Sequence, residues 1–192
     1  MIELYMCDIT GMRADTEQLL HGLSLYRHRR TASIRVAHDR LLSAVAGRLL
    51  SEALAVHGYH EAELNYQVTP EGKPYFTDCP LQFSLSHSGS MAICALSDEA
   101  VGADVQVMTY CRMRIAHRFF TAEQCAQLRI CDDPDTLFTL FWAQTEARGK
   151  RSGIGIAGPC DTTGNMWSEM VSDHALAVCG PVFDGHPIKM EF

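Results

Sequence analysis

The alternation of apolar and polar residues predicts a chain that mixes helices with short strands. Apolar side chains recur at spacings of three, four and five between Val36 and Leu54. This pattern predicts a long helix over about residues 31–56, which ends near Gly58. Residues 2–9 predict a first strand. Shorter apolar runs predict strands at 64–68, 83–86 and 91–96, with turns at 70–74 and 87–89.

The most regular strand pattern covers residues 101–107. Side chains in a strand alternate between its two faces. One face of this strand therefore carries Val101, Ala103, Val105 and Val107, and the other carries Gly102, Asp104 and Gln106. An unpaired carboxylate at Asp104 would be costly in such a strand. Asp104 must therefore face solvent, pair with Lys150 or an arginine, or bind a metal ion.

An amphipathic helix is predicted to start at Asp133-Pro134, an N-cap followed by proline, and to end in a loop with Gly153, Gly155 and Gly158. A capping box at 121–124 opens a shorter helix before it. Trp142, Glu146 and Lys150 are four residues apart, so each step turns only about 40° around the axis. This face presents a carboxylate and an ammonium, although an ordinary ion pair beside a core tryptophan gives the same pattern.

Two segments of the chain resemble each other, residues 88–95 and 172–179. Each is a polar turn that leads into a short apolar strand. Two similar α+β halves joined near residue 98 would explain the likeness, and chance similarity between short strands is the alternative.

Composition is typical of a globular protein, with 47% hydrophobic and 20% charged residues in 192. No apolar run is long enough to span a membrane and the first residues do not resemble a signal peptide, so we expect no membrane partner and a cytoplasmic location. The eight cysteines lack C-x-x-C spacing, which predicts buried free thiols in a reducing compartment. The histidines show no paired ligand spacing, which argues against a structural metal.

The basic residues are clustered, although the net charge of −7 argues against nucleic acid as a partner. One cluster comprises residues 27–30 with Arg35 and Arg40, and the other comprises Arg112, Arg114 and Arg118. Such clusters indicate either local anion sites or solvated helix faces.

Two short motifs match known functional patterns only in their letters, so the elements around them decide whether the function applies. Residues 153–158 match the letters of the dinucleotide fingerprint, but a helix precedes them where a strand is required, so we reject that function. Ser86-His87-Ser88 lacks the G-x-S-x-G elbow of a hydrolase. A hydroxyl and an imidazole there suit phosphate binding, and a structural turn histidine is the alternative.

Asp104 and Glu146 form a third candidate. If the two carboxylates come together, they make a hard-oxygen site suited to Mg²⁺, which takes one or two carboxylates and completes its shell with water and phosphate. With the basic helix, Lys73, Ser86-His87 and Lys150, this set indicates phosphoryl transfer by positioning and charge.

In order and spacing, these motifs resemble those of the 4′-phosphopantetheinyl transferase superfamily, in its larger, pseudo-dimeric (surfactin-synthetase-activating) type. The resemblance rests on four segments: Gly72-Lys73-Pro74, Ser86-His87-Ser88-Gly89, Val101 to Gln106 and Trp142 to Lys150. It covers roughly residues 26–180.

The resemblance implies an α+β fold of two similar lobes in a pseudo-twofold arrangement, each a small antiparallel sheet packed on a long helix. The lobes would cover residues 1–98 and 99–192, with CoA bound in the cleft between them. It implies Mg²⁺-dependent transfer of 4′-phosphopantetheine from CoA to a serine of an apo acyl or peptidyl carrier protein, which releases adenosine 3′,5′-bisphosphate. We expect the enzyme to be a monomer.

The resemblance also assigns roles to residues. Asp104, Glu146 and Gln106 would hold Mg²⁺, with Mn²⁺ as an alternative, and Lys150 would neutralise charge as the bond breaks. The CoA phosphates and adenosine would be bound by Arg30, Lys73, Pro74, Ser86 and His87. Glu146 would deprotonate the incoming serine, and Lys150 is the competing base.

Two departures from the family pattern support a second hypothesis. Gln106 stands where the family has a second strand acid, and Thr145 stands where a lysine precedes the helical glutamate. The chain is also short after Gly158. The alternative is therefore a catalytically weakened protein that binds CoA or a carrier protein, and a purely structural protein is a third option.

Overall fold

The computed structural model describes residues 1–156 and 163–192. The helices within them are α1 Thr16–Leu20, α2 Leu25–Ala32, α3 Ala37–Val56, α4 Met113–Phe119, α5 Ala122–Ile130 and α6 Pro134–Ser152, with a 3-10 turn at Glu61–Glu63. The strands are β1 Glu3–Asp8, β2 Tyr66–Val68, β3 Pro74–Phe76, β4 Gln82–Ser88, β5 Met91–Ser97, β6 Gly102–Val107, β7 Asn165–Val171, β8 His174–Gly180 and β9 Ile188–Lys189. The chain is therefore α+β, as predicted.

Four strands form the first sheet in the order β4-β5-β1-β9, and α3 packs against it. Strands β4, β5 and β1 are antiparallel neighbours, whereas β9 runs parallel to β1. Strand β5 is buried along its whole length because both of its faces are covered. Cys94 and Leu96 join the core that includes Leu49 and Leu50 of α3, and Ile93 belongs to a second core.

Three strands form the second sheet in the order β6-β8-β7, and α6 packs against it. The second core joins residues of both sheets, among them Leu4, Ile93, Val105 and Leu176. The alternation predicted for residues 101–107 is confirmed for Val101, Ala103 and Val105, which all lie in this core, whereas Val107 is only partly buried. The opposite face of β6 is left to meet α6.

Serine hydroxyls of β4 connect the two sheets. Ser84 Oγ accepts a hydrogen bond from the Ala103 amide (2.9 Å), and Ser88 Oγ accepts one from the Val107 amide (3.0 Å). These amides lie at the edge of β6, so side chains of β4 take the place of a neighbouring strand. β4 and β6 are thereby held in register.

The predicted start of the long helix at residue 31 is wrong. Thr31 belongs to α2, which ends at Ala32 with Ser33 as its C-cap, and α3 begins only at Ala37. Ser33 Oγ donates to the Arg30 carbonyl (2.7 Å), a local bond that competes with helix continuation. Val36 then has extended backbone, so two helices meet at a corner where the apolar spacing predicted one.

The predicted turn at residues 87–89 also starts too early. His87 pairs with Ala92 and Ser88 pairs with Met91, so β4 continues to Ser88. Only Gly89 and Ser90 remain for the turn, and Gly89 has a φ of 58°. Such two-residue hairpins require positive φ, which glycine adopts without strain.

The helix that carries Glu146 and Lys150 begins and ends as predicted. Asp133 Oδ1 accepts the Thr136 amide (3.1 Å) ahead of Pro134, and Gly153 ends the helix in the left-handed region. The capping box at Thr121 and Gln124 is likewise present.

Residues 88–95 and 172–179 both form a hairpin turn followed by a buried strand, β5 or β8. The pseudo-twofold arrangement and the boundary at residues 98 and 99 stay predictions. Gly158 of the predicted loop and Cys160 lie outside the described residues. Among the cysteines within them, Cys7, Cys79, Cys94, Cys111, Cys125 and Cys131 are free thiols. None of the helices in residues 1–156 and 163–192 combines the length and the apolar character that crossing a membrane requires.

Candidate active site

A pocket of about 820 Å³ lies where α2, α3, the β2–β3 hairpin and β4 meet the second half of α6. This volume is within the range of small-molecule and cofactor sites, about 300–1,000 Å³. It brings together seven predicted site residues from distant parts of the chain: Arg30, Lys73, Pro74, Ser86, His87, Glu146 and Lys150. Asp104 contacts two residues of the lining, and Gln106 lies outside it.

Asp104 pairs with a cation, which was one of the three alternatives left by its position in the strand. Its side chain is only 7% exposed, and Oδ1 lies 2.6 Å from Lys150 Nζ. Ser86 Oγ donates to the same oxygen at 2.7 Å. Among the described residues no hydrogen bond uses Oδ2, so this oxygen is available to a further partner.

Gly102 allows α6 to approach β6 closely enough for this pair to form. A Cβ at this position would lie 2.0 Å from the Ala147 carbonyl oxygen and 2.3 Å from the Arg151 amide nitrogen. Both are backbone atoms of α6, which cannot move aside as a flexible side chain could. A residue without a side chain is therefore required two positions before Asp104.

Glu146 lies one turn before Lys150 on the same face of α6, and it also lines the pocket. Burial is the main cause that raises the pKa of Glu146, and the negative charge of Asp104 raises it further. The ammonium of Lys150 opposes both effects. The two carboxylates therefore act on each other electrostatically, and Glu146 takes up a proton more readily than an ordinary glutamate.

His87 faces a different part of the pocket from Ser86. Burial, followed by the charge of Lys150, lowers the pKa of His87, whereas the charge of Asp39 acts in the opposite direction. Arg27 and Arg30 lower it slightly more. The ring is therefore neutral near pH 7, so one of its nitrogens can donate a hydrogen bond and the other can accept one.

Lys73 connects the β2–β3 turn to the end of α6. Its ammonium donates to the carbonyls of Val101 (3.1 Å) and Arg151 (3.3 Å). Burial, with a smaller contribution from the charge of Arg151, lowers the pKa of Lys73 to about 8. The side chain thus lines the pocket while it holds two parts of the pocket wall together.

Arg27 was missed as a site residue, although the basic run at residues 27–30 was noticed. Its side chain lines the pocket, is only 4% exposed, and donates from Nη2 to the Ser43 carbonyl (2.7 Å). Nε is buried and has no hydrogen-bond partner among the described residues. It lies against α3 at Gly47, where a Cβ would come within 2.7 Å of Nε. The signal in the sequence was a basic residue one turn before Arg30.

The two positions that depart from the family pattern have local partners. Gln106 Nε2 donates a hydrogen bond to the Val107 carbonyl (3.0 Å). The side-chain oxygen of Gln106 takes no part in this bond and is available as a metal ligand. Thr145 Oγ1 donates to the Phe141 carbonyl (2.8 Å) within α6. Trp142 packs edge-on against Phe119, so it anchors the helix.

The side chains that could bind a metal ion at this site are oxygen ligands. The described residues contain no group of three or more His, Cys, Asp or Glu side chains that could hold a metal. Asp104 and Glu146 supply two carboxylates, and Gln106 follows Asp104 on the same face of β6. Two carboxylates with water and phosphate oxygens are a common ligand set for Mg²⁺, so these residues fit that ion.

Comparison with known proteins finds relatives of one kind, whereas no family model matches the chain. The chain is 30% identical over 167 residues to the 4′-phosphopantetheinyl transferase psf-1 of Bacillus pumilus, which covers 81% of the chain and 69% of the relative. It is 27% identical over 140 residues to a 4′-phosphopantetheinyl transferase of Bacillus subtilis, over 71% of the chain and 59% of the relative. It is 29% identical over 129 residues to the 4′-phosphopantetheinyl transferase Sfp of Bacillus subtilis strain 168, over 66% of the chain and 57% of the relative. The aligned stretch therefore spans between 57% and 69% of these three relatives.

Proposed function

Since this chain belongs to the 4′-phosphopantetheinyl transferase family, we propose that it transfers the 4′-phosphopantetheine group of CoA to a serine hydroxyl of an apo acyl or peptidyl carrier protein. Adenosine 3′,5′-bisphosphate is the second product. The observation that carries the proposal is the charge of the pocket. Four cations and two carboxylates line it, in a chain whose net charge is −7. This local excess of positive charge suits a ligand with several phosphates.

The cations of the pocket bind CoA. Arg30 and Arg27 on α2, with His87 facing them from β4, hold phosphate oxygens. Lys73, Pro74 and Ser86 complete the site on the hairpin and on β4. The ammonium of Lys73 holds the hairpin against α6, so Lys73 acts partly through the shape of the wall.

A divalent cation, Mg²⁺ with Mn²⁺ as the alternative, would be held by Asp104, Glu146 and the amide oxygen of Gln106. When bound, it supplies positive charge to the pyrophosphate oxygens. Lys150 supplies a second positive charge at the same place, and Asp104 holds its ammonium through the 2.6 Å contact. The oxygen Oδ2 of Asp104 is the atom left for the metal.

Glu146 takes the proton of the attacking serine. The serine oxygen forms a bond to the phosphorus that carries the pantetheine arm, and the pyrophosphate P–O bond breaks. The leaving adenosine bisphosphate keeps the electron pair of that bond. Glu146 suits the role of base because its pKa is raised, and Lys150 suits it less because its ammonium already donates to Asp104.

A second candidate function is a CoA- or carrier-binding protein that transfers slowly or not at all. Gln106 and Thr145 favour it, because each replaces a charged residue of the family pattern with an uncharged one. Tight CoA binding in calorimetry without any mass change of a carrier protein would identify this function.

The test is incubation of the protein with CoA, Mg²⁺ and a panel of apo-carrier proteins, followed by mass spectrometry. We expect each acceptor to gain the mass of one phosphopantetheine group. Asp104→Ala and Glu146→Ala should each abolish the mass change. Glu169→Ala is the matched control, because it removes an exposed carboxylate from the outer strand β7. Equal labelling of the carrier by the wild type and all three variants would contradict the assignment of Asp104 and Glu146 to the site.

A further inference from the structure

Glu61 is a fully buried carboxylate outside the pocket lining, and its environment is unusual. The residue is 1% exposed, and its carboxylate accepts three hydrogen bonds. The donors are the Ser24 amide (2.7 Å), the Ser24 hydroxyl (2.7 Å) and the Tyr66 hydroxyl (2.5 Å). A buried charge is tolerated only when it is bonded in this way, so the three donors depend on Glu61 as much as Glu61 depends on them.

The first consequence concerns the start of α2. Ser24 is the N-cap of this helix, and its Oγ accepts the Arg27 amide (3.3 Å). Because the hydrogen of the same hydroxyl goes to Glu61, the lone pairs of Oγ stay free for the cap. Glu61 therefore fixes both the backbone and the side chain of the residue from which the helix starts. Its negative charge also lies at the positive end of the helix dipole.

The second consequence concerns the aromatic wall of the pocket. The Tyr66 ring stacks on Tyr26 at 4.2 Å with an angle of 15° between the rings. Phe76 and Phe83 meet the same Tyr66 ring edge-on. Tyr26 lies on α2 beside Arg27 and lines the pocket. The hydroxyl bond to Glu61 thus holds Tyr66 in the orientation against which α2 rests.

Electrostatics link the same groups to Arg27. Burial and the neighbouring Glu61 raise the pKa of Tyr66, and the charge of Arg27 opposes this rise. The guanidinium is therefore close enough to act on this cluster, although it donates to Ser43 and not to Glu61. The contacts that connect Glu61 to Arg27 run through Ser24, whose hydroxyl donates to Glu61 and accepts the Arg27 amide.

We propose that Glu61 is a positioning residue for the anion-binding wall of the pocket, which consists of Tyr26, Arg27 and Arg30 on α2. Glu61 thereby determines how tightly an anionic co-substrate binds. The rate of the chemical step depends on residues of α6 and β6. The inference rests on the proposed function for the identity of that co-substrate, CoA. The role of Glu61 in placing the wall does not depend on the proposed function.

The experiment uses Glu61→Gln, Glu61→Asp and Tyr66→Phe. The glutamine keeps the shape but turns an NH₂ group towards donors, whereas the aspartate keeps the charge and the phenylalanine keeps the stacked ring. We expect Glu61→Gln to raise the Kd for CoA in calorimetry, and the KM for CoA, by about tenfold or more with kcat changed less than about twofold. Glu61→Asp and Tyr66→Phe should each give a smaller rise in the same direction.

Ile93→Val is the control for stability, because Ile93 lies in the core between the sheets and away from α2. It should lower the unfolding temperature without any change in the Kd. An unchanged Kd in Glu61→Gln, or a loss of kcat with KM unchanged, overturns the proposal.

A readout without CoA separates this inference from the proposed function. The Arg27 Nε–H proton is buried, so its ¹⁵N resonance should be protected from solvent exchange in the wild type and lose that protection in Glu61→Gln. Titration with inorganic pyrophosphate should show the same loss of affinity as CoA. If the wild type fails to bind CoA, the proposed function is wrong, and the resonance and the pyrophosphate titration still decide the role of Glu61. Protection retained in Glu61→Gln overturns it.

Discussion

Asp104 and Lys150 should stabilise the fold as a coupled pair, quite apart from their proposed part in catalysis. Their charged atoms are 2.6 Å apart, and the side chains are 7% and 31% exposed. Coulomb attraction at this distance is about 1.6 kcal/mol in water and about 6 kcal/mol at an effective dielectric constant of about 20. Desolvation of Asp104 cancels much of this gain, so we expect a coupling free energy of about 1–3 kcal/mol.

The assay is a double-mutant cycle in urea or guanidinium with Asp104→Asn, Lys150→Met and the double variant. Lys150→Met leaves the buried carboxylate without its cation and should cost about 3–5 kcal/mol of unfolding free energy. Asp104→Asn leaves a partly hydrated ammonium and should cost less, about 2–3 kcal/mol. The double variant should be more stable than the sum of the single losses predicts, by the coupling energy.

The control is the pair Arg48 and Glu52, one turn apart on α3 with 3.7 Å between the charged atoms, because its carboxylate is 43% exposed and that of Asp104 is 7% exposed. Its cycle should give a coupling of only about 0.3–0.5 kcal/mol. A coupling for Asp104 and Lys150 no larger than this value would refute the reasoning. The double variant should recover stability but not phosphopantetheine transfer, and recovery of transfer would remove both residues from the proposed mechanism.

Three further predictions follow from the pocket and its surroundings. Since Glu146 must be ionised to accept a proton and its pKa is raised, kcat should fall on acidification at a higher pH than an ordinary glutamate would cause, and a fall at the pH of an ordinary glutamate would contradict its role. Gly102→Ala should cost about 1–3 kcal/mol or more of stability and weaken CoA binding because its Cβ forces α6 away from β6, and wild-type values for both would show that the contact is not tight. Replacement of the exposed residues Arg112, Arg114 and Arg118 with glutamate should raise the KM for the acidic carrier protein more than the KM for CoA, and equal effects on both would exclude this surface as the docking site.

The residues that the sequence located best are those whose position depends on a local pattern. The period of two placed Asp104 on the face of β6 opposite Ala103 and Val105, because a strand has no other way to arrange alternate side chains. The caps at Asp133 and Gly153 likewise depend on a few neighbouring backbone groups. Both elements of the Asp104–Lys150 contact could therefore be predicted, and the contact itself was one of the alternatives that the strand pattern left open.

The residues that the sequence missed depend on tertiary contacts. Arg27 looks like any basic residue on a helix face, and only the packing of α2 on Gly47 of α3 makes it a buried wall of the pocket. Glu61 lies in a short polar segment with no periodicity, and its three donors come from residues up to 37 positions away. The corner at Ser33 was missed because the predicted helix was extended to residue 31, ahead of the apolar spacing that begins at Val36. Local sequence carries little information about partners so distant.

The late turn of the β4–β5 hairpin has a consequence for how the pocket works. Because β4 continues through His87, its residues alternate between two faces. Phe83 and Leu85 pack towards α3, and His87 shares that side with the arginines of α2. Ser86 faces β6 and donates to Asp104. One strand thus presents His87 on one face and Ser86, with Asp104, on the other, and the charge of Lys150 reaches both. A ligand that uses both sides must be long and must carry its charges at more than one point, and a register shift of one residue would exchange the two sides. The pairing of β4 with β5 is therefore as much a part of the site as the charged residues themselves.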